Sequence, residues 1–152
     1  MWSIPTCSIW DIDGTLSNPS HRLHWVQHKP KNWPAFNRAM KDDGVNEDIV
    51  WMLKTFHDAG CTILIASGRG EEQREVTETW LQNVAGVGDL YSKLYMRPAM
   101  DYRSDDVIKS EILDQMIADG YLPTMAVDDR NQVVTMWRNR GLRCLQVAPG
   151  DF

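Results

Sequence analysis

The sequence predicts an α/β fold, a three-layer doubly wound parallel sheet with a small insertion after its first strand. Three observations carry that expectation. Short, nearly continuous apolar runs alternate with longer segments of helical period, the pattern of parallel strands covered on both faces by crossover helices. Four of the runs end directly on a polar or charged residue, and in a Rossmann-like sheet ligands bind at those carboxyl ends. Three of the helical segments stop at a glycine, the residue that most easily takes the left-handed position after a last turn.

The first strand, Cys7–Trp10, runs into Asp11. The second, over 62–66, runs into Ser67, the third, over 94–96, into Arg97, and the fourth, over 125–127, into Asp128. A fifth covers 145–147. Helices are expected over 47–59, with Ile49, Val50, Leu53 and Phe56 as the apolar stripe, and over 71–84, with Val76, Trp80 and Leu81. Two more cover 105–119, through Ile108, Ile112, Leu113 and Met116, and 131–140, through Val133, Val134 and Trp137. Gly60, Gly120 and Gly141 are the stop signals. Trp10, Trp51, Trp80 and Trp137 fall on apolar periodic positions and are expected in the core. Pro98 marks an extended exit from the third strand.

Residues 14–48 are too many for a plain strand-to-helix loop. We read 16–47 as a cap-like insertion within one domain spanning 1–152, a length that supports a single core and not two. A short helix is expected over 33–40, begun by Asn32 as N-cap with Pro34 in the first turn. Elements inserted at this point serve as lids or substrate-binding surfaces. Trp25 and Trp33 lie in it and either stack a base or pack the insertion onto the sheet, with packing the expectation. His21, His24 and His28 have HxxH and HxxxH spacings, but without a carboxylate or thiol neighbour a polar loop is expected rather than zinc.

Hydrophobic residues make up 43% and charged residues 24%, a globular composition rather than a disordered one. The net charge of −5 opposes a protein that coats duplex DNA by neutralising phosphates. The charge is uneven, however. Residues 14–41 contain no acid but carry Arg22, Lys29, Lys31, Arg38 and Lys41, and 130–150 contain four arginines and no acid. A basic insertion beside acidic strand ends suits the gripping of one phosphorylated end. Cys7, Cys61 and Cys144 form no CxxC pair and sit in apolar runs, as buried thiols in a reducing cytoplasm do. No apolar run reaches ~18 residues, so no membrane span is expected, and the amino terminus reads as mature and unprocessed.

Asp11-Ile12-Asp13-Gly14-Thr15 is the most informative run. Alternation in a strand starts Asp11 and Asp13 out on one side of the sheet edge. Two carboxylates so close need a cation between them, or one keeps a proton, and that arrangement suits a nucleophile beside a general acid. Thr15 adds a hydroxyl and an N–H. Asp128-Asp129 closes the fourth strand in the same way. With Asp11 it makes an all-oxygen site of the kind that holds Mg²⁺, and Asp129 is also a candidate N-cap for the next helix. Ser67, Gly68 and Arg69 offer a hydroxyl, a free amide and a guanidinium at a helix start, an anion cradle or an ordinary turn. Lys109 lies four residues after Asp105, which fits a surface ion pair or a lysine reaching toward phosphoryl oxygens.

The runs DIDGT, SGR, the helix-borne Lys109 and VDDR follow the order of the four motifs of haloacid-dehalogenase-like (HAD) phosphatases. The chain resembles that superfamily over all but the 16–47 insertion. The stretches YRSDDVIK at 102–109, VDDRNQVVTMWR at 127–138 and the segment 146–152 are most similar to the 3′-phosphatase domain of bacteriophage polynucleotide kinase–phosphatase. The resemblance implies that Asp11 attacks the phosphorus to form an aspartyl-phosphate. Asp13 then protonates the leaving hydroxyl and later activates water. It implies Mg²⁺ held by Asp11, the Asp13 backbone carbonyl and Asp128, with Asp129 ligating through water or orienting the site. Ser67 and Lys109 would bind phosphoryl oxygens with Arg69 near the substrate, Asp105 would position Lys109, and Arg22 is the nearest match to a substrate-binding arginine.

The expectation is a Mg²⁺-dependent phosphomonoesterase acting on nucleic acid 3′-ends or nucleotides. No GxxxxGK[ST] occurs, so no kinase half is expected. Neither a membrane nor an obligate protein partner is implied. A small-molecule phosphatase such as a 5′-nucleotidase and a non-catalytic nucleic-acid end-binding module are the alternatives.

Overall fold

The computed structural model describes residues 5–152. The reading of the amino terminus as unprocessed falls partly on residues 1–4, outside the described residues. Five parallel strands form the main sheet: β1 (Cys7–Trp10), β4 (Thr62–Gly70), β5 (Tyr91–Arg97), β6 (Met125–Asp128) and β7 (Arg143–Gln146). Their order is β5-β4-β1-β6-β7. The chain moves outward from β1 in one direction, then returns to β1's other side, so the order reverses between β1 and β6. Asp11 and Asp128 stand at that switch point, where open α/β sheets bind ligands.

The alternation of side chains along β1 divides the core. Cys7 and Ile9 pack with Ile108, Ile112, Leu113 and Met116 of α5 (Asp105–Ala118) and with Val133, Val134 and Trp137 of α6 (Asn131–Asn139). Trp10 points the other way, into Val50 and Leu53 of α3 (Glu47–Asp58) and Trp80 and Leu81 of α4 (Arg74–Asn83). Three layers result, as the sequence predicts. Gly60, Gly120 and Gly141 do take positive φ after α3, α5 and α6. Cys7, Cys61 and Cys144 are buried free thiols. No helix among the described residues is long and apolar enough to cross a membrane.

Three expectations about elements change. The second strand continues through Gly70, because Gly70 pairs with Arg97 of β5, and α4 starts only at Arg74 after a 3₁₀ turn over Glu71–Gln73. Trp51 is 69% exposed, not core, because the buried stripe of α3 runs through Val50 and Leu53 and leaves Trp51 beside it. Trp25 and Trp33 are exposed, not packed on the sheet.

The segment 16–47 closes at its neck. There β2 (Ser17–Asn18) pairs antiparallel with β3 (Gly44–Val45), and Asn46 donates through Nδ2 to the carbonyls of Thr15 and Ser17. Between the two strands lie a 3₁₀ turn over Ser20–Arg22, α1 (His24–Gln27), α2 (Trp33–Arg38) and a second 3₁₀ turn over Ala39–Asp42. The side chain of Asn32 caps α2 by accepting from the Ala35 amide at 3.1 Å, as its position before Trp33-Pro34 predicts.

Candidate active site

Asp11 leaves β1 on the parity of Cys7 and Ile9 and so faces α5. Its Oδ1 accepts a hydrogen bond from Lys109 Nζ at 2.7 Å, and its Oδ2 accepts one from Thr15 Oγ1 at 2.9 Å. The same ammonium donates to Asp128 Oδ2 at 2.9 Å. Trp137 Nε1 donates to that oxygen at 3.2 Å, and the Asp129 amide donates to Asp128 Oδ1 at 2.8 Å. Lys109 is therefore buried and not a surface ion pair with Asp105.

Asp11, Asp128 and Asp129 each offer a carboxylate oxygen, and the three oxygens lie within 4.8 Å of one another. Against these acids stands one lysine. Burial, then the charge of Asp128, pushes the Asp11 carboxyl well above its ordinary range, and Lys109 offsets only part of this. Burial and Asp128 also raise Asp129, to about 6. Burial works against the charge on Lys109, but Asp11 and Asp128 more than offset it and hold the lysine protonated. A buried, all-oxygen donor set with excess negative charge fits Mg²⁺ and not zinc. Gly14 has φ +85°, and a Cβ there would collide with the Asp129 carboxylate, so only glycine admits this close approach. Asp129 does not cap α6, whose N-cap is Arg130.

Asp13 goes elsewhere. β1 has ended, the chain turns through residues 12–15, and the Asp13 carboxylate diverges from that of Asp11. It accepts from Arg22 Nη2 at 2.7 Å and from Arg69 Nη2 at 2.8 Å and Nε at 3.0 Å. Burial alone would raise Asp13, but Arg69 and then Arg22 outweigh it and hold the carboxyl at about 2. The expected proximity of two unpaired carboxylates is thus resolved by separate counter-charges, arginines for one and a lysine for the other.

Both arginines are buried, and they converge on Asp43 as well. Arg22 donates to it through Nε and Nη2, both at 2.7 Å, and Arg69 through Nη2 at 3.2 Å. Arg69 Nη1 also donates to Thr77 Oγ1 at 3.1 Å. The guanidinium expected to reach for phosphate is instead occupied by two carboxylates, and it stands within a strand and not at a helix start. Ser67 is fully buried, and its Oγ accepts from the Arg69 amide at 3.1 Å.

Asp105 does not bond Lys109. Arg97 Nη2 and Arg130 Nη1 donate to its two oxygens, and a Cβ on Gly68 would lie 2.8 Å from Asp105 Oδ1. Asp105 acts on Lys109 only through space, as one of the charges that raise it.

Residues 5–152 match the family model described as the polynucleotide kinase PNKP phosphatase domain. The chain belongs to that family. It is accordingly a phosphatase, a phosphoric monoester hydrolase. A chain of the Pnkp1/Rnl/Hen1 RNA repair complex superposes on this PNKP-type phosphatase domain with a TM-score of 0.79 at 36% identity, covering 98% of this chain and 44% of that one. A protein of Autographa californica nuclear polyhedrosis virus, described as a bifunctional polynucleotide kinase/RNA ligase, is 27% identical over 138 residues, which is 89% of this chain and 18% of the viral one. The chain thus spans less than half the length of these relatives. A hydrolase from Streptococcus pneumoniae shares the fold alone, with a TM-score of 0.69 at 12% identity over 97% of this chain and 95% of that one.

Asp43 is the residue that sequence reasoning missed. It lies in Asp42-Asp43-Gly44 after a basic run and looks like a solvated turn, yet its side chain is completely buried. Arg97 ends the third strand and Arg130 closes the VDDR run, but their pairing with Asp105 has no local signal, since it depends on three strands and a helix meeting at one edge.

Proposed function

We propose that the protein removes the phosphate from nucleic acid 3′-ends or 3′-nucleotides, with Mg²⁺ as cofactor. The observation that carries the reading is Asp11 at the switch point, hydrogen-bonded to the buried Lys109 and beside Asp128 and Asp129. An Asp11 oxygen attacks phosphorus, the bond from phosphorus to the 3′ oxygen breaks, and an aspartyl-phosphate forms. Lys109 and Ser67 hold the phosphoryl oxygens where charge develops, helped by Thr15 and the Gly68 amide. Asp11, the backbone carbonyl of Asp13 and Asp128 would hold Mg²⁺, with Asp129 beside it, and the ion would supply electrostatic stabilisation of the transferring phosphoryl group.

Asp13 is the proton carrier of this scheme. Its ionised form suits the second half-reaction, in which it takes a proton from the water that attacks the aspartyl-phosphate. For the first half it must itself be protonated to give the leaving 3′ oxygen its proton. A phosphate entering the site competes with Asp13 for Arg69 and Arg22. Weakening of those contacts raises the Asp13 carboxyl toward its ordinary value. Asp105, fixed by Arg97 and Arg130, keeps the Gly68 strand end and the head of α5 in register.

The segment 16–47 serves as a cap-like insertion on a single domain, which works in the cytoplasm and requires no protein partner for its chemistry. Its product, a free 3′-hydroxyl, is the group that strand sealing needs. The experiment is a panel of a 3′-phosphorylated oligonucleotide, a 3′-mononucleotide and a 5′-mononucleotide, with and without Mg²⁺. Mg²⁺-dependent release from the two 3′-phosphates is expected. A preference for the 5′-mononucleotide would replace this reading with a 5′-nucleotidase, and no turnover of any of them would leave an end-binding module.

A further inference from the structure

A strand that ends in the reacting phosphate must leave the site across some surface of the protein. We infer that this surface is the outer face of the 16–47 insertion, where single-stranded nucleotides next to the 3′-phosphate stack on Trp33 and Trp25 between unpaired cations. The inference rests on the polynucleotide reading above and adds to it a defined path.

Three independent observations on this segment support it. The first is the pair of indoles, 52% exposed at Trp33 and 40% at Trp25. They belong to helices that pack together, and a 2.7 Å hydrogen bond from the Asn32 amide to the Trp25 carbonyl ties the two segments. The second is the state of the cations. Lys29, Lys31, Arg38 and Lys41 are all exposed, and none forms an ion pair among the described residues. Lys31 Nζ lies 5.7 Å from the centre of the Trp33 ring. Elsewhere Arg74, Arg97, Arg103, Arg130 and Arg140 all have carboxylate partners. Residues 14–41 contain no acid to neutralise these cations or to repel phosphates.

The third observation is position. Arg22 Nη2 is 2.7 Å from Asp13, the Arg22 guanidinium lies 4.2 Å from the centre of the Phe36 ring, and Phe36 meets Trp33 edge-on with centroids 5.6 Å apart. Three contacts thus lead from Asp13 to an open indole. A surface of cations and aromatic faces is what binds single strands without sequence preference, because every base has a π-face and every linkage a negative charge. A protein partner fits less well, since protein interfaces are depleted in lysine.

The test compares a 3′-phosphorylated single-stranded oligonucleotide with a 3′-mononucleotide, which is too short to reach the patch. Trp33→Ala is expected to raise KM for the oligonucleotide roughly tenfold, the scale of one lost base–aromatic stack, and to leave mononucleotide kinetics within about twofold. Trp33→Phe keeps a ring and restores most of the loss. A variant carrying both Lys29→Ala and Lys31→Ala is expected to lower the slope of log affinity against log salt by about 1.4, at ~0.7 per cation, for a fluorescent 3′-hydroxyl single strand read by anisotropy. Equal losses on both substrates would make Trp33 a folding residue, and unchanged oligonucleotide kinetics with an unchanged salt slope would take the patch off the path. Either result overturns the inference. Failure of the wild-type protein to act on the oligonucleotide would instead overturn the polynucleotide reading, a result distinct from an active wild type with indifferent variants.

Discussion

Asp11 is buried against one lysine and two further carboxylates, whereas Asp13, two residues on, lies half-exposed between two buried arginines. Burial and Asp128 drive the Asp11 carboxyl upward. Arg69 and Arg22 overcome burial and hold Asp13 at about 2. One residue type is thus held in two electrostatic states by its neighbours. The side at Asp11 has an excess of negative charge that a divalent cation would neutralise. The side at Asp13 is already balanced, through a network whose centre is Asp43.

The largest effect expected from breaking this contrast is on chemistry. Asp11→Asn should lower phosphate release on the order of 10⁴-fold or more, as loss of a nucleophile does. It should leave the thermal midpoint in chelator no lower than wild type, since it removes one charge from a crowded acidic cluster. A steady-state assay paired with a thermal melt checks both parts. Next is Lys109→Met, which leaves Asp11, Asp128 and Asp129 without their one cation. It is expected to cost about 3–5 kcal/mol in urea unfolding without metal, with part recovered on adding Mg²⁺. Unchanged stability would mean that the acidic side does not depend on this lysine.

On the other side, Asp43→Asn should cost about 3 kcal/mol, because two buried guanidinium groups lose their shared buried acceptor. Asp13→Asn should cost less, about 1–2 kcal/mol, because Asp43 remains and Asp13 is screened by water. Equal costs for the two would make Asp13 as much a structural group as Asp43.

The smallest effect is a pH dependence of opposite sign on the two sides, measured as thermal midpoint in chelator. Asp129, raised from 3.8 to about 6, contributes stability that is full at low pH and lost as pH rises through 6. Asp13, lowered from 3.8 to about 2, contributes stability that is full above its ordinary value and lost as pH falls toward 2. The midpoint is expected to rise from pH 7 to 5 and to fall below pH 4. Asp129→Asn should reduce the rise, with the remainder coming from Asp11, which is raised in the same direction, and Asp13→Asn should flatten the fall.

Much of this was legible in the chain itself. The apolar runs ending on Asp11, Ser67, Arg97 and Asp128 marked the sheet edge, because a strand buried on both faces must stop being apolar where it meets a ligand. Gly60, Gly120 and Gly141 marked helix ends, because a left-handed residue is a local requirement. Asn32 marked the start of α2 for the same reason. Asp11, Lys109 and Asp128 are far apart in sequence but were recoverable as a set, since each sits at a strand end or on the following helix.

Where prediction failed, the deciding partner came from elsewhere in the fold. Alternation placed Asp13 beside Asp11, but the strand had ended, and arginines from residues 22 and 69 drew the carboxylate away. Asp105 was four residues before Lys109 and so looked like its partner, yet Arg97 and Arg130 arrive from two other strand ends and claim it. Trp51 had the hydrophobicity of a core residue without the angle. Local pattern alone specifies the layers, the polar strand ends and the kinds of group found there, because periodicity and turn chemistry act over a few residues. The strand order, and with it the switch point between β1 and β6, comes instead from the pairing of the strands. Which charge answers which depends on the assembled fold, which pairs Arg22 with Asp13 and Asp43 and gives Lys29, Lys31, Arg38 and Lys41 no ion pair among the described residues, because an ion pair is set by distances between segments that no local pattern records.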